Sequence, residues 1–355
     1  MSLLNKVIQE QYAENIKFKD ASLMNTKRFV GKVNLVETIN ARMEDFVHLV
    51  FYRNQMYLLG FVGYTCIARK FPVDIQGDTE PFEISLNREV LKILSNKEGL
   101  TIELKDGQVI LTFKYGEGLM RRVLKPTAWR EDTKRYLEFI INSDRGKSEG
   151  KVNSGDLKNM NKILRGVIPD EKSRNIVIGD GYLYAITPTF VLYKSGNVNT
   201  DMLITETLLS NLPRKNQMFE CRTYNGFQGL VGLESPIYYI FKGMNTESDI
   251  TPYTDLKIEW TAKLPKGVEN PINVVCFGEN KPLDFIFKSN TVSIIDTIST
   301  DNVFVGVTEV FIERTEELNS IIRNFKGMDL VGRVKTNKAP LKALKFNGGE
   351  ICLLG

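Results

Sequence analysis

The sequence predicts an α+β fold made of three repeats of one helix-and-hairpin unit. Three observations carry that expectation. A strand, helix, hairpin, helix, hairpin order runs from Lys151 to Tyr239, with a similar order before it and a more degenerate one after it. Apolar residues fall at helical spacing in some stretches, while short strand-like runs flank tight turns in others. Asp106-Gly107 and Asp180-Gly181 supply the positive-φ residues that two-residue hairpins need. The expected layout is an N-terminal extension over 1–25, a first unit over 26–125, a linker over 126–150, a second unit over 151–245 and a third over 246–355.

The first unit opens with a short strand from Phe29 to Val33. Asn34 is placed to cap a helix reaching Met43, with Leu35, Ile39 and Met43 on its apolar face. The run FVHLVFYRNQMYLLGFVGYTCIARKF reads as two strands around a turn at Arg53–Asn54, and Asp74 to Pro81 reads as a polar connection. In SLNREVLKILSN, Ser85 is placed to cap a second helix that packs through Val90, Leu91 and Leu94. The hairpin TIELKDGQVILTFKY follows, and MRRVLKP closes the unit. WREDTKRYLEFI is helix-compatible, and SDRGKSEGK reads as linker.

The second unit holds the most informative helix. Ser154 or Asp156 can accept hydrogen bonds from the free amides of its first turn. Leu157, Met160, Leu164 and Val167 make an apolar stripe, and Lys158, Lys162 and Arg165 recur on a different face. The next helix, ITETLLSNLPRKN, offers Leu208, Leu209 and Leu212 for packing and stops at Pro213. FECRTYNGFQGLVGL and PIYYIFKG complete the sheet. In the third unit, Asn270-Pro271 reads as the cap and first residue of a short helix to Phe277. FIFKSNTVSIIDTI is a hairpin over Ser289-Asn290. RTEELNSIIRNFKG is a helix with Leu318, Ile321, Ile322 and Phe325 apolar, stopped by Gly327. LKALKFNGGEICLLG closes the chain as a hairpin.

Composition excludes several classes. Hydrophobic content of 42% and charged content of 25% are those of an ordinary globular protein. No run approaches the ~18 apolar residues that a membrane span needs. Charges in MSLLNKVIQEQYAENIKFKD stand where a signal peptide needs its apolar segment, and widely spaced cysteines without a disulfide pattern predict a reducing, cytoplasmic compartment. Cys66, Cys221, Cys276 and Cys352 show no CxxC pairing; small buried hydrophobe is their expected role, and no metal or other cofactor is expected. His48, the single histidine, lies in the strand-like DFVHLVFY and reads as structural, with an acid–base role as the alternative. One histidine leaves little material for a Ser-His-Asp or Cys-His mechanism, and no Walker loop is present. Glu316-Glu317, a conceivable metal pair for a nucleic-acid enzyme, are adjacent on a helix rather than on one face. No enzyme is expected.

The net charge of +4 does not by itself imply nucleic acid. The recurrence of cations off the apolar faces of helices points there instead: Lys158, Lys162 and Arg165; Arg88 and Lys92; Arg323 and Lys326; and Arg42. If each helix packs its apolar face on a sheet, these faces point the same way. A curved assembly would then line one surface with charge suited to phosphate oxygens. For any one helix, a solvated face is the competing reading.

This segment order resembles the bacterial DNA polymerase III beta subunit, the DNA sliding clamp. LVFYRNQMYLLGFVGYTCIARKFPVD is similar to that family's first hairpin and following strand, and FEISLNREVLKILSNKEGLTIELKDGQVILTF to the helix and hairpin after it. GDGYLYAITPTFVLYKS stands where the family has an ATDGHRLA-like strand. FVGVTEVFIERTEELNSIIRNFK resembles the stretch that ends in the last inner helix, and NGGEICLLG the closing strand and tail. The resemblance spans residues 26–355.

The resemblance implies three clamp-like domains per chain, with antiparallel sheets outside and up to two helices inside, forming part of a two-chain ring around duplex DNA. It implies a polymerase processivity factor that catalyses nothing, touches phosphates without sequence preference, and binds DNA polymerase and clamp loader through short peptides. On this resemblance Lys158, Lys162, Arg165, Arg88, Lys92, Arg323, Lys326 and Arg42 line the hole. It places an apolar partner-peptide pocket at Thr187, Thr189, Phe190, Val191, Leu192, Leu353 and Leu354, with simple core packing as the competing reading of the apolar ones. It places a ring interface at Cys276 and Phe277, against a domain-one edge of the second subunit. Pro188 and Phe190 stand where the family has Asp and His, and a Met-Pro-Met-like tail is missing, which puts a standard bacterial clamp-binding peptide in doubt. Such divergence fits a bacteriophage-encoded clamp serving its own replisome, or a clamp-like protein reused for transcription or recombination. The alternative is a β-rich structural or scaffold protein, such as a virion component, with no DNA role.

Overall fold

A computed structural model describes residues 18–20, 24–30, 44–88, 100–125, 133–143, 146–168, 170–187, 190–243, 249–254, 258–262, 284–288, 291–295, 310–312, 328–334, 341–346 and 349–354. The chain forms two compact units, Met1–Glu149 with Pro213–Gly243, and Gly150–Leu212 with Met244–Gly355. Strand β1 (Thr26–Val30) is followed by β2 (Phe46–Tyr52), β3 (Gln55–Val62), β4 (Thr65–Pro72), β5 (Asp74–Gly77), β6 (Phe82–Asn87), β7 (Leu100–Lys105), β8 (Gln108–Tyr115) and β9 (Gly118–Leu124). Helix α1 (Thr133–Asn142), β10 (Lys147–Asn153) and helix α2 (Ser154–Val167) come next. Then come β11 (Ile176–Gly179), β12 (Tyr182–Ile186), β13 (Phe190–Ser195), β14 (Asn197–Val198), β15 (Met202–Ile204) and the one-turn helix α3 (Glu206–Leu209). The chain continues through β16 (Met218–Tyr224), β17 (Phe227–Gly232), β18 (Ile237–Lys242), helix α4 (Thr251–Thr254) and β19 (Ile258–Ala262). It ends with β20 (Asp284–Lys288), β21 (Thr291–Ile295), β22 (Val310–Ile312), β23 (Met328–Val334), β24 (Leu341–Phe346) and β25 (Ile351–Leu354). This bears out the α+β class: antiparallel sheets with few helices.

Hairpin chemistry explains much of this order. Arg53 and Asn54 (φ 48° and 56°), Asp106 and Gly107 (50° and 73°), and Asp180 and Gly181 (50° and 79°) hold the positive φ at both central residues that type I′ turns require. Asn225 and Gly226, at 48° and 79°, do the same between β16 and β17. The pairings Lys288↔Thr291 and Lys345↔Ile351 place the hairpins expected over Ser289-Asn290 and 347–349.

In the first unit, the order β5-β1-β7-β8-β9 makes one sheet and β16-β17-β18-β4-β3-β2-β6 the core of another. Strand periodicity sorts the side chains of β2 onto two faces. Val47, Leu49 and Phe51 join Phe82, Ile84 and Leu86 of β6 in a core with Ile102, Leu104, Val109, Leu111 and Phe113 of the five-stranded sheet. Val50 faces the other way, into a cluster of Leu59, Phe61, Cys66 and the α1 residues Tyr136, Leu137, Phe139 and Ile140. Gly229 makes room for that helix, because a Cβ there would stand 2.6 Å from Phe139 Cζ. Residues 213–243, which the sequence reading groups with the second repeat, lie in this unit because β18 pairs with β4 from Phe241↔Thr65 to Ile237↔Arg69.

In the second unit, β15-β11-β12-β13-β25-β24-β23-β19 make an eight-stranded sheet and β21-β20-β22 a three-stranded one, among the described residues. Ile250 and Tyr253 pack on Val177, Tyr184, Val191 and Tyr193 of the larger sheet.

Several local expectations are corrected. FVHLVFYRNQMYLLGFVGYTCIARKF makes three strands rather than two, with a further turn at Gly63 (φ 56°). Burial on both faces removes the alternation that would have marked the third. Ser85 does not cap a helix: it sits in β6, opposite His48 of β2, with its Oγ 2.9 Å from His48 Nδ1. Strand pairing carries Phe82, Ile84 and Leu86 into the core, and helical backbone begins at Arg88. The polar connection from Asp74 contains β5, paired with β1, and SDRGKSEGK runs into β10. Asn153, not Ser154 or Asp156, caps α2 by accepting from Gly155 N–H at 2.7 Å. The helices expected over 34–43, 270–277 and 313–326, and the rest of the one after Ser85, lie outside the described residues.

Cys66, Cys221 and Cys352 are buried free thiols, as expected of small hydrophobes. His48 is buried, with Nδ1 2.5 Å from Glu83 Oε1 and its ring edge-on to Phe61. Ser85 and Glu83 both address the same nitrogen, whereas a Ser-His-acid relay needs the nucleophile on one ring nitrogen and the acid on the other. Among the described residues no helix is long and apolar enough to cross a membrane, and no group of His, Cys, Asp and Glu side chains is arranged to hold a metal.

Candidate nucleic-acid and partner interfaces

Helix α2 is built from its cap inward. Leu157, Met160, Ile163 and Leu164 are fully buried, which fixes the rotation of the helix and turns Lys158, Lys162 and Arg165 outward. Their i, i+4, i+7 spacing aligns them along one stripe. Lys158 is half-buried, and desolvation lowers its pKa. Lys162 is exposed. Arg165 meets Glu206 at the start of α3: Glu206 Oε1 accepts from Nη2 at 2.6 Å and from Nε at 3.2 Å. Asp156, in the first turn of α2, accepts from Lys194 Nζ of β13 at 2.7 Å.

Arg88 is placed differently. Its side chain is mostly covered and lies 3.6 Å from Asp45, and its backbone N–H donates to the Asp45 carbonyl at 2.7 Å. Lys92, Arg323, Lys326 and Arg42 lie outside the described residues, as do Cys276 and Phe277.

The segments expected to form a peptide pocket do meet. Strands β13 and β25 are antiparallel neighbours, with Phe190↔Leu354, Val191↔Leu353 and Leu192↔Cys352 in register. Val191 and Leu192 are buried on opposite faces of this sheet, and Ile250 covers the Val191 side. Thr187 is half-buried just before the strand; Thr189 lies outside the described residues.

One surface escaped the sequence reading. Among the described residues strand β9 is the last in its sheet, and Tyr115, Leu119 and Val123 beside and along it are 61%, 78% and 52% exposed. Lys114↔Leu119 and Ile110↔Val123 put Leu119 and Val123 on one face of the edge, while Met120 and Leu124 pack inward. The signal was the alternation in GLMRRVL, which shows apolar residues on both faces of a terminal strand.

No protein-family model matches the sequence, and no curated protein matches it. Solved structures do. The DNA polymerase sliding clamp of Bacillus subtilis superposes with a TM-score of 0.58 at 12% identity, over 93% of this chain and 98% of that one. The chain has the sliding-clamp fold. The C. crescentus beta sliding clamp gives a TM-score of 0.60 at 8% identity, covering 93% of this chain and 99% of its own. The Helicobacter pylori beta clamp, solved bound to a DNA ligase peptide, gives 0.54 at 9% identity with the same coverages. The resemblance read from segment order is thus borne out at the level of fold, with almost no sequence identity beneath it.

Proposed function

We propose that this chain is a DNA sliding clamp: a ring of two copies that encircles duplex DNA and tethers a polymerase in the cytoplasm, with no catalysed reaction. The observation that carries the reading is fold likeness along nearly the whole length of both chains, 93% of this one and 98% of the B. subtilis clamp. An isolated shared domain would not give that coverage. In this reading the chain holds three clamp-like domains, and α2 presents Lys158, Lys162 and Arg165 to the phosphates. Hydrophilic, sequence-neutral contacts of this kind suit a ring that must slide. Lys92, Arg323, Lys326 and Arg42 complete the lining, while Arg88, mostly covered beside Asp45, contributes at its margin. The exposed β9 edge is the domain-one edge on which residues 276–277 of a second copy close the ring, because an apolar edge strand of this kind is a template for strand pairing.

Partner peptides dock where β13 meets β25, around Thr187, Thr189, Phe190, Val191, Leu192, Leu353 and Leu354. The peptide-bound H. pylori structure supports such docking in this fold. Departures from the family at Pro188 and Phe190 make the peptide motif this chain's own.

The test is topological. The chain is loaded on nicked circular DNA, with its loader where one is needed, and the circle is then cut. Retention at elevated salt followed by loss on linearisation is expected. A monomer in solution that is never retained would overturn the reading and favour a scaffold protein.

A further inference from the structure

Arg165 closes the basic stripe of α2, yet its charge is already met. The Glu206 side chain is buried at 6% exposure, while the Arg165 side chain is 48% exposed. Both guanidinium contacts, from Nε and Nη2, fall on the single oxygen Oε1, and Oε2 has no hydrogen-bond partner. The two residues come from helices α2 and α3 of the same unit. A carboxylate this close lowers the positive potential that the stripe projects into solvent. The guanidinium keeps further N–H donors, because five donors cannot be spent on one oxygen.

We propose that Glu206 tempers Arg165, holding its guanidinium on the inner face as a hydrogen-bond donor while withholding most of its charge from DNA. The inference rests on the clamp reading, in which α2 faces phosphates. Its consequence is kinetic. Each fully charged group that neutralises a phosphate deepens the electrostatic hold and its salt dependence. A ring that moves along DNA gains from contacts that orient the duplex and release it readily. Arg165, paired in this way, supplies geometry more than charge.

The experiment measures binding of the full chain to a short fluorescent DNA duplex as salt is varied, with folding of each variant checked by circular dichroism. Glu206→Gln keeps an oxygen acceptor for Arg165 and removes the charge. It is expected to tighten binding severalfold and to steepen the slope of log affinity against log salt by about 0.9, one phosphate's worth. Adding Arg165→Gln to that variant takes the gain away. Lys162→Ala weakens binding and makes the slope shallower by about 0.9. The inference is overturned if Glu206→Gln binds like the parent, or more weakly, while Lys162→Ala loses affinity. It is also overturned if the double variant drops below the parent by as much as Lys162→Ala does, because Arg165 would then already act at full charge. If Lys162→Ala binds like the parent, α2 does not face DNA, and the clamp reading of this helix fails first. Should Glu206→Gln not fold, the double variant, which buries no unpaired charge, still decides between these outcomes.

Discussion

Lys194 Nζ lies 3.6 Å from Glu350 Oε1, and the Glu350 side chain is only 2% exposed. The same ammonium binds Asp156 at 2.7 Å, so one lysine on β13 ties the closing strand β25 to the first turn of the basic helix. Lys194→Met would leave the Glu350 carboxylate buried without this cation, a situation that costs about 3 kcal/mol. Chemical denaturation is expected to show that loss, and hydrogen exchange to show faster opening across Ile351–Leu354. Adding Glu350→Gln should recover most of the stability. Equal stability of Lys194→Met and the parent would show that the pair does not hold the strand.

Gly229 is a matter of space. An added Cβ would stand 2.6 Å and 2.8 Å from Phe139 Cζ and Cε1, and 3.0 Å from the Tyr239 carbonyl oxygen. Phe139 is fully buried in α1, so it has no solvent to move into. Gly229→Ala is expected to cost about 2 kcal/mol through overpacking. Combining it with Phe139→Leu should cost less than the sum of the two single changes, because the neighbours share one volume. Strict additivity in thermal denaturation would refute the contact.

What could be read from the sequence was local. Asp180-Gly181 announces its turn through backbone sterics, and Leu157, Met160 and Leu164 announce their helix face through spacing alone. Ser85 misled because a cap signature and a strand residue look alike until Phe82, Ile84 and Leu86 find their core. The charge pairs that shape the candidate site were invisible, since Arg165 and Glu206 are 41 positions apart and Lys194 and Asp156 are 38 apart. Spacing along a helix shows which cations share a face. It does not show which of them a distant carboxylate meets.

The thiols give a readout of local opening. Burial pushes Cys221 and Cys352 up to about 12, so little reactive thiolate exists near neutral pH, and Cys66 is equally buried. A thiol reagent followed by peptide mapping should leave all three nearly unlabelled in the folded chain and label them in urea. In Lys194→Met, Cys352 of β25 should react faster while Cys221 keeps its parent rate. Rapid labelling of Cys352 in the parent would contradict the closed pairing of β25 with β13 and β24.

Glu138 on α1 gives the pH prediction. It is buried, and desolvation raises its carboxyl above the ordinary value of 4.5, only partly offset by Lys134 and Arg135. Because the folded state holds this proton more tightly than the unfolded chain does, the group opposes folding once both states are ionised. That penalty is fully present above the raised folded value and is lost as pH falls through it toward 4.5. Glu138→Gln should therefore raise the melting temperature at neutral pH, and the gain should shrink to nothing in acid. Lys134, 3.8 Å away, limits the gain by removing part of the cost in the parent. A variant less stable than the parent at neutral pH would mean that the Lys134 attraction outweighs desolvation, and would reverse the sign assigned to this helix.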